Sequence, residues 1–156
     1  MTMSLDDILR LDDAAFANAI IEFVNDKQIA HGFDSLTDVE QTVLLANDCE
    51  FRIVRSGIMD LAGYPEHEWR DAMIASLAEI GATQTAALLR EATRLFDAIP
   101  AHERERAETI DDLYALAGAD KLDRLSATAE TVACDAEIAN CLHRYIVRSR
   151  ARFRAA

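Results

Sequence analysis

Two prolines and five glycines are all the punctuation in 156 residues, too little for a β fold of many turns. The three cysteines, at 49, 134 and 141, are an odd number. In a helical pattern Cys134 and Cys141 place their Cα atoms roughly 10 Å apart, beyond the ~7 Å reach of a disulfide. Reduced core thiols are expected. No stretch approaches the ~20 uninterrupted apolar residues of a membrane span. The start, Met1-Thr2-Met3-Ser4-Leu5-Asp6-Asp7, has neither the basic residues nor the apolar run of a secretory leader. These absences predict a cytoplasmic protein with no membrane partner. A chain of this size buries roughly 70% of its unfolded surface, so its fold needs no metal or disulfide staple.

Hydrophobic residues, led by Ala and Leu, make up 51% of the chain, a composition that favours helices. The charge is unevenly placed. Residues 1–140 hold all 28 acids against 11 bases, a net of −17. Residues 141–156 hold five arginines, Arg144, Arg148, Arg150, Arg152 and Arg154, and no acid. So acidic a body excludes direct nucleic-acid binding by phosphate neutralisation and attracts proteins with basic surfaces.

Capping and periodicity mark the helices. Ser4 caps a short turn with Leu5, Ile8, Leu9 and Leu11. Asp12 and Asp13 open a helix with Phe16, Ile20, Phe23 and Val24 on one face, followed by a loop over 28–35. Thr37-Asp38-Val39-Glu40 is a capping box for a helix reaching Ser56 and closed by Gly57. On it Val39, Val43, Ala46, Ile53 and Val54 share one arc, and Glu50 falls inside that arc. Residues 58–64 read as an irregular link. Pro65 starts a helix with the stripe Trp69, Met73, Leu77 and Ile80, ended by Gly81. Thr83 caps another, with Leu88, Ala92, Leu95 and Ile99 inward, and Pro100 stops it. Residues 101–112 are charged, as a solvated helix or loop. Ile110, Leu113, Tyr114 and Leu116 give a short apolar face before Gly118, while 120–131 carries no clear pattern. The last helix turns Ile138, Cys141, Leu142, Tyr145, Ile146 and Phe153 inward. The expected fold is all-α, a single compact domain over residues 1–156, of six to eight helices.

Chemistry is sparse. His31, His67, His102 and His143 show no paired metal-binding spacing, and the cysteines form no zinc knuckle. There is no phosphate loop, nucleophile elbow or dinucleotide fingerprint. No enzyme, metal or cofactor is expected. Glu50 is the exception, a carboxylate placed to be buried and needing an arginine or backbone donors. It is read as a structural ion pair, as the centre of a pocket, or as exposed if the helix phase is slightly off. Arg144, Arg148 and Arg152 recur at i, i+4, i+8. That stripe complements a helix C-terminus and the chain's own acids, touches nucleic acid, or joins two copies. Asp48–Arg52, Glu66–Arg70 and Asp120–Arg124 are spaced for helical ion pairs, which leaves most carboxylates uncompensated. Acids one turn apart are separated by about 6 Å along a helix, so two such rows approximate a phosphate lattice.

Several segments in order resemble the bacterial DMP-like family of DNA-mimic proteins. They are Leu36-Thr37-Asp38-Val39-Glu40-Gln41, Leu77-Ala78-Glu79-Ile80-Gly81-Ala82, the run on to Leu95-Phe96-Asp97, Leu142-His143-Arg144-Tyr145-Ile146 with Phe153, and the opening Leu11-Asp12-Asp13-Ala14-Ala15-Phe16. The resemblance spans about residues 5–153. One segment departs. Where the family has a Glu-Val-Asn-Asn-Gly-Gly-Phe type sequence, this chain has Arg52-Ile53-Val54-Arg55-Ser56-Gly57-Ile58. The resemblance implies an all-helical fold, homodimers, and a basic DNA-binding protein as partner, whose nucleic-acid site the acids would occlude. The acids expected to contribute are Asp38, Asp48, Asp60, Glu66, Glu68, Asp71, Asp111 and Asp112. The rival readings are an immunity-type protein that neutralises a cognate toxin and an enzyme with a Glu50-centred pocket.

Overall fold

The computed structural model describes residues 3–63, 67–134 and 136–154, without the side chains at 67, 68, 110, 133, 134 and 154. Among the described residues there is no strand, and the all-α expectation holds. The described residues form eleven α-helices rather than six to eight: α1 (Leu5–Ile8), α2 (Asp13–His31), α3 (Asp38–Ser56), α4 (Ile58–Gly63), α5 (His67–Ile80), α6 (Thr83–Asp97), α7 (Ala101–Arg104), α8 (Ile110–Ala117), α9 (Ala119–Cys134), α10 (Glu137–Arg148) and α11 (Arg150–Arg154). A 3-10 turn, Phe33–Ser35, lies between α2 and α3. The excess over the expectation comes from short helices of four to six residues, α1, α4, α7 and α11, at the ends of longer ones. Such turns are too short to show a 3.6-residue pattern, so periodicity passes over them.

Two stretches without a readable pattern are helical. Residues 58–63 form α4, whose Ile58, Met59, Leu61 and Ala62 are all buried. A helix covered on several sides has no polar face to reveal its period. Residues 119–134 form α9, buried through Leu122, Leu125, Ala129 and Val132. The loop expected from 28 is instead the end of α2, which runs on to His31 and stops at Gly32 with φ 85°.

Helix α10 packs against α2, α3 and α5, while α4, α8 and α9 pack with α6. The inward face expected of the last helix holds, with Ile138, Cys141, Leu142, Tyr145, Ile146 and Phe153 all buried. Three stripes differ from the expectation. Val54 is 74% exposed, although its neighbour Ile53 on α3 is buried, because the packed face of α3 near its end is turned toward Ile53. Trp69 is 42% exposed and meets Phe33 edge-on, with centroids 5.0 Å apart. On α6 the buried face is Thr85, Ala86, Leu89, Ala92, Thr93 and Phe96, with Leu88 and Leu95 only half-buried. The α6 N-terminus also uses no cap of its own. Glu137 of α10 supplies it, accepting from the N–H groups of Gln84 (3.1 Å) and Thr85 (2.8 Å) and from the Thr85 hydroxyl (2.6 Å).

Four of the terminal arginines, Arg144, Arg148, Arg150 and Arg152, tie into the fold. Arg150 donates to the carbonyl of Leu11 (2.9 Å), pairs with Asp13 (2.9 Å) and lies 4.0 Å over the Phe16 ring, so it pins the N-terminal turn. Arg148 donates to the Glu79 carbonyl (3.0 Å) at the end of α5, where the helix dipole favours a cation. Arg152 donates to the Tyr145 hydroxyl (3.1 Å), and Arg144 to Cys141 Sγ (3.2 Å). The basic stripe complements the chain's own groups.

Candidate protein-binding surface

The buried carboxylate is Glu40, not Glu50. Glu40 is 1% exposed, accepts from Lys27 Nζ at 2.8 and 3.0 Å, and accepts from the Thr37 N–H at 2.8 Å. The capping box identified the last of these contacts. The ion pair it missed locks the end of α2 to the start of α3, thirteen residues on. Glu50 is half-buried and, among the described residues, has no hydrogen bond or ion pair. Burial pushes its carboxyl above the usual carboxylate range. It lies on the wall of a groove of about 630 Å³ shared with Phe33, Phe51, Trp69 and Met73.

The other candidates divide by what they touch. Asp38, Asp60 and Asp71 are exposed on α3, α4 and α5, the last two of which each pack on α3. Asp48 is half-buried and held by Arg52 at 2.8 Å. Asp111 and Asp112 are exposed on α8, which packs on α6 and α9. The Asp112 carboxylate caps its own helix, accepting from the Thr109 hydroxyl (2.9 Å), the Thr109 N–H (2.9 Å) and the Glu108 N–H (3.1 Å). Those bonds hold it below the usual carboxylate range. Glu66 and the side chain of Glu68 lie outside the described residues. The expected Glu66–Arg70 pair therefore lies outside them too. Arg70 is 3% exposed, grips Asp97 of α6 at 2.8 and 3.0 Å, and donates to the Ala62 carbonyl at 2.8 Å. The Asp120–Arg124 pair does not form, although Asp48–Arg52 does.

These pairings decide where free charge remains. Residues 11–89 contain 14 acids and four bases. Lys27 faces Glu40, Arg52 faces Asp48, Arg70 is buried against Asp97, and Arg55 stands 5.9 Å over the Phe51 ring. The exposed carboxylates Glu22, Asp26, Asp34, Asp38, Asp60 and Asp71 of this half meet no cation among the described residues. Glu22, Asp26 and Asp34 were not singled out from sequence. The signal was there, since Lys27 is the lone base between Arg10 and Arg52. In α6 to α9, by contrast, Arg90, Arg94, Lys121 and Arg124 are exposed among the acids.

An all-helical chain is what the ordered segments anticipated, and the DMP19-like protein family matches residues 34–149. The chain belongs to that family. The DMP19-like match covers α3 to α10, together with the 52–58 segment that departs in sequence. The Leu11–Phe16 segment precedes it. No curated protein and no solved structure matches this DMP19-like chain. The family is one of DNA-mimic proteins. Among the described residues no helix is long and apolar enough to cross a membrane, and no three His, Cys, Asp or Glu side chains stand together as a metal site.

Proposed function

We propose that this protein is a non-enzymatic, cytoplasmic DNA mimic that binds a basic DNA-binding protein and competes with duplex DNA for it. The observation that carries this reading is the cation-poor surface of α2 to α5, within a chain of a DNA-mimic family. Its acids are free to meet a partner's Lys and Arg because three of its four cations, Lys27, Arg52 and Arg70, already hold other carboxylates. Glu22 and Asp26 lie one helical turn apart, and the Lys27–Glu40 latch brings the end of α2, with Asp34, beside Asp38 at the start of α3. Replacing phosphates against basic side chains gains affinity without any base-specific contact. A catalytic reading has less support. Among the described residues, Glu50 has no second acid, base or nucleophile free to act with it on the groove wall, since Asp48 is held by Arg52.

The test is competition near physiological salt between this protein and duplex DNA for a panel of the host's DNA-binding proteins. Low salt is uninformative, because exposed opposite charges then associate indiscriminately. One or a few panel members should be released. Lysine substitutions at Glu22, Asp26, Asp34 and Asp38 should abolish release, while lysines at Asp120, Asp123 and Glu130 of α9 should not. No release, or equal release of all, overturns the mimic reading and favours an immunity-type role.

A further inference from the structure

The acidic half also contains a cluster of exposed apolar side chains around one groove. Phe51 is 59% exposed and Val54 74%, side by side near the end of α3, and the half-exposed Trp69 faces them from α5 across the groove. The groove is not a purely apolar slot. Arg52, Arg70, Asp48 and Glu50 lie on its wall. Arg52 holds Asp48 and Arg70 holds Asp97, so the wall's cations are occupied. Glu50 is the charge left over, half withdrawn from water and lacking a counter-ion among the described residues.

We propose that this groove seats an amphipathic basic segment of the protein partner, with an arginine or lysine on Glu50 and its apolar neighbours on Phe51, Val54 and Trp69. The charge selects the occupant. A carboxylate held partly out of water favours a cation that replaces its lost hydration, and an indole ring alongside favours the same cation through its negative face. Arg55 over Phe51 is an intramolecular instance of that contact at the groove's edge. A buried centre of aromatic and aliphatic contacts supplies discrimination that exposed carboxylates lack, since rim charges mainly steer encounter. The groove thus gives a DNA mimic a means of selecting one basic protein among many. This inference rests on the mimic reading for the partner's identity, though not for the groove's preference for cations.

Trp69 is the only tryptophan, so its emission reports the groove directly. The full chain is titrated near physiological salt with a tryptophan-free peptide alternating arginine and leucine, and with its citrulline counterpart, which has nearly the same shape and no charge. The arginine peptide should shift Trp69 emission and saturate, and the citrulline peptide should bind about tenfold more weakly. Glu50→Gln should erase that difference, and Phe51→Ser should weaken both peptides. Equal binding of the two peptides, the absence of any shift, or discrimination that survives Glu50→Gln overturns the proposal. So does sedimentation showing a dimer that Phe51→Ser dissociates, since the groove would then be covered by a second copy. If Phe51→Ser fails to fold, the citrulline contrast and Glu50→Gln still decide the matter. In the competition assay, release that is intact in Glu50→Gln but lost on reversing the α2–α3 acids removes the groove and keeps the mimic. A sound peptide contrast with no protein released does the reverse.

Discussion

Replacing Lys27 by methionine tests the latch that shapes the acidic corner. The substitution keeps most of the aliphatic stem and removes the cation. Glu40, at 1% exposure, would then keep a buried carboxylate with the Thr37 N–H as its remaining donor. Removing one partner of a fully buried pair costs about 3–5 kcal/mol. Here Lys27 is itself a quarter exposed, so water already weakens the pair and can reach the orphaned oxygen. A loss of roughly 2–3 kcal/mol is expected. For a domain of this size that corresponds to a fall in Tm of roughly 4–12 °C. Urea unfolding followed by circular dichroism reads it as a lower midpoint at unchanged slope. The double variant Lys27→Met/Glu40→Gln should recover at least about half of the loss, because the amide oxygen still accepts from Thr37 and no charge is buried. A single variant within about 0.5 kcal/mol of the parent, a value ordinary for surface changes, would refute the reasoning. A double variant as unstable as the single one would do so too.

Other consequences can be checked by similar means. Arg70→Met should destabilise by roughly 2–3 kcal/mol in the same assay, since it removes the buried guanidinium that donates to both the Ala62 carbonyl and Asp97. Glu50 titrates above its ordinary value in the folded chain, so its contribution to stability is fully present below about pH 4.3 and is lost as pH rises through its folded pKa. Glu50→Gln should therefore match the parent in acid and exceed it in stability at pH 7, and a parent more stable than the variant at neutral pH contradicts this. Burial pushes the Cys49 thiol up to about 12. Alkylation at pH 8 followed by peptide mass spectrometry should leave Cys49 unmodified in the native protein and label it only on unfolding.

The sequence by itself determined the helical class, the long helices with one apolar face, and the inward face of the final helix. Each of those follows from local chemistry: a capping residue, a 3.6-residue repeat, and a glycine where the chain must turn. It also held the family segments, whose order survives without knowledge of contacts. It did not reveal α4, because burial on several sides leaves little periodic contrast to read, whereas the α9 stripe Leu122, Leu125, Ala129 and Val132 was present at helical spacing but unread. Nor could it choose between Glu40 and Glu50. Helical phase places a residue on its own helix, but burial depends on which neighbour covers it. Lys27 and α2 cover Glu40, whereas Glu50 opens onto a groove. Net charge was legible from composition, yet its usable part was not. Only tertiary structure decided that Arg148 and Arg150 bind the chain's own carbonyls and acids and that Arg70 is buried against Asp97. Coulomb attraction and desolvation act between residues close in space, and the fold brings those residues together from far apart in the chain.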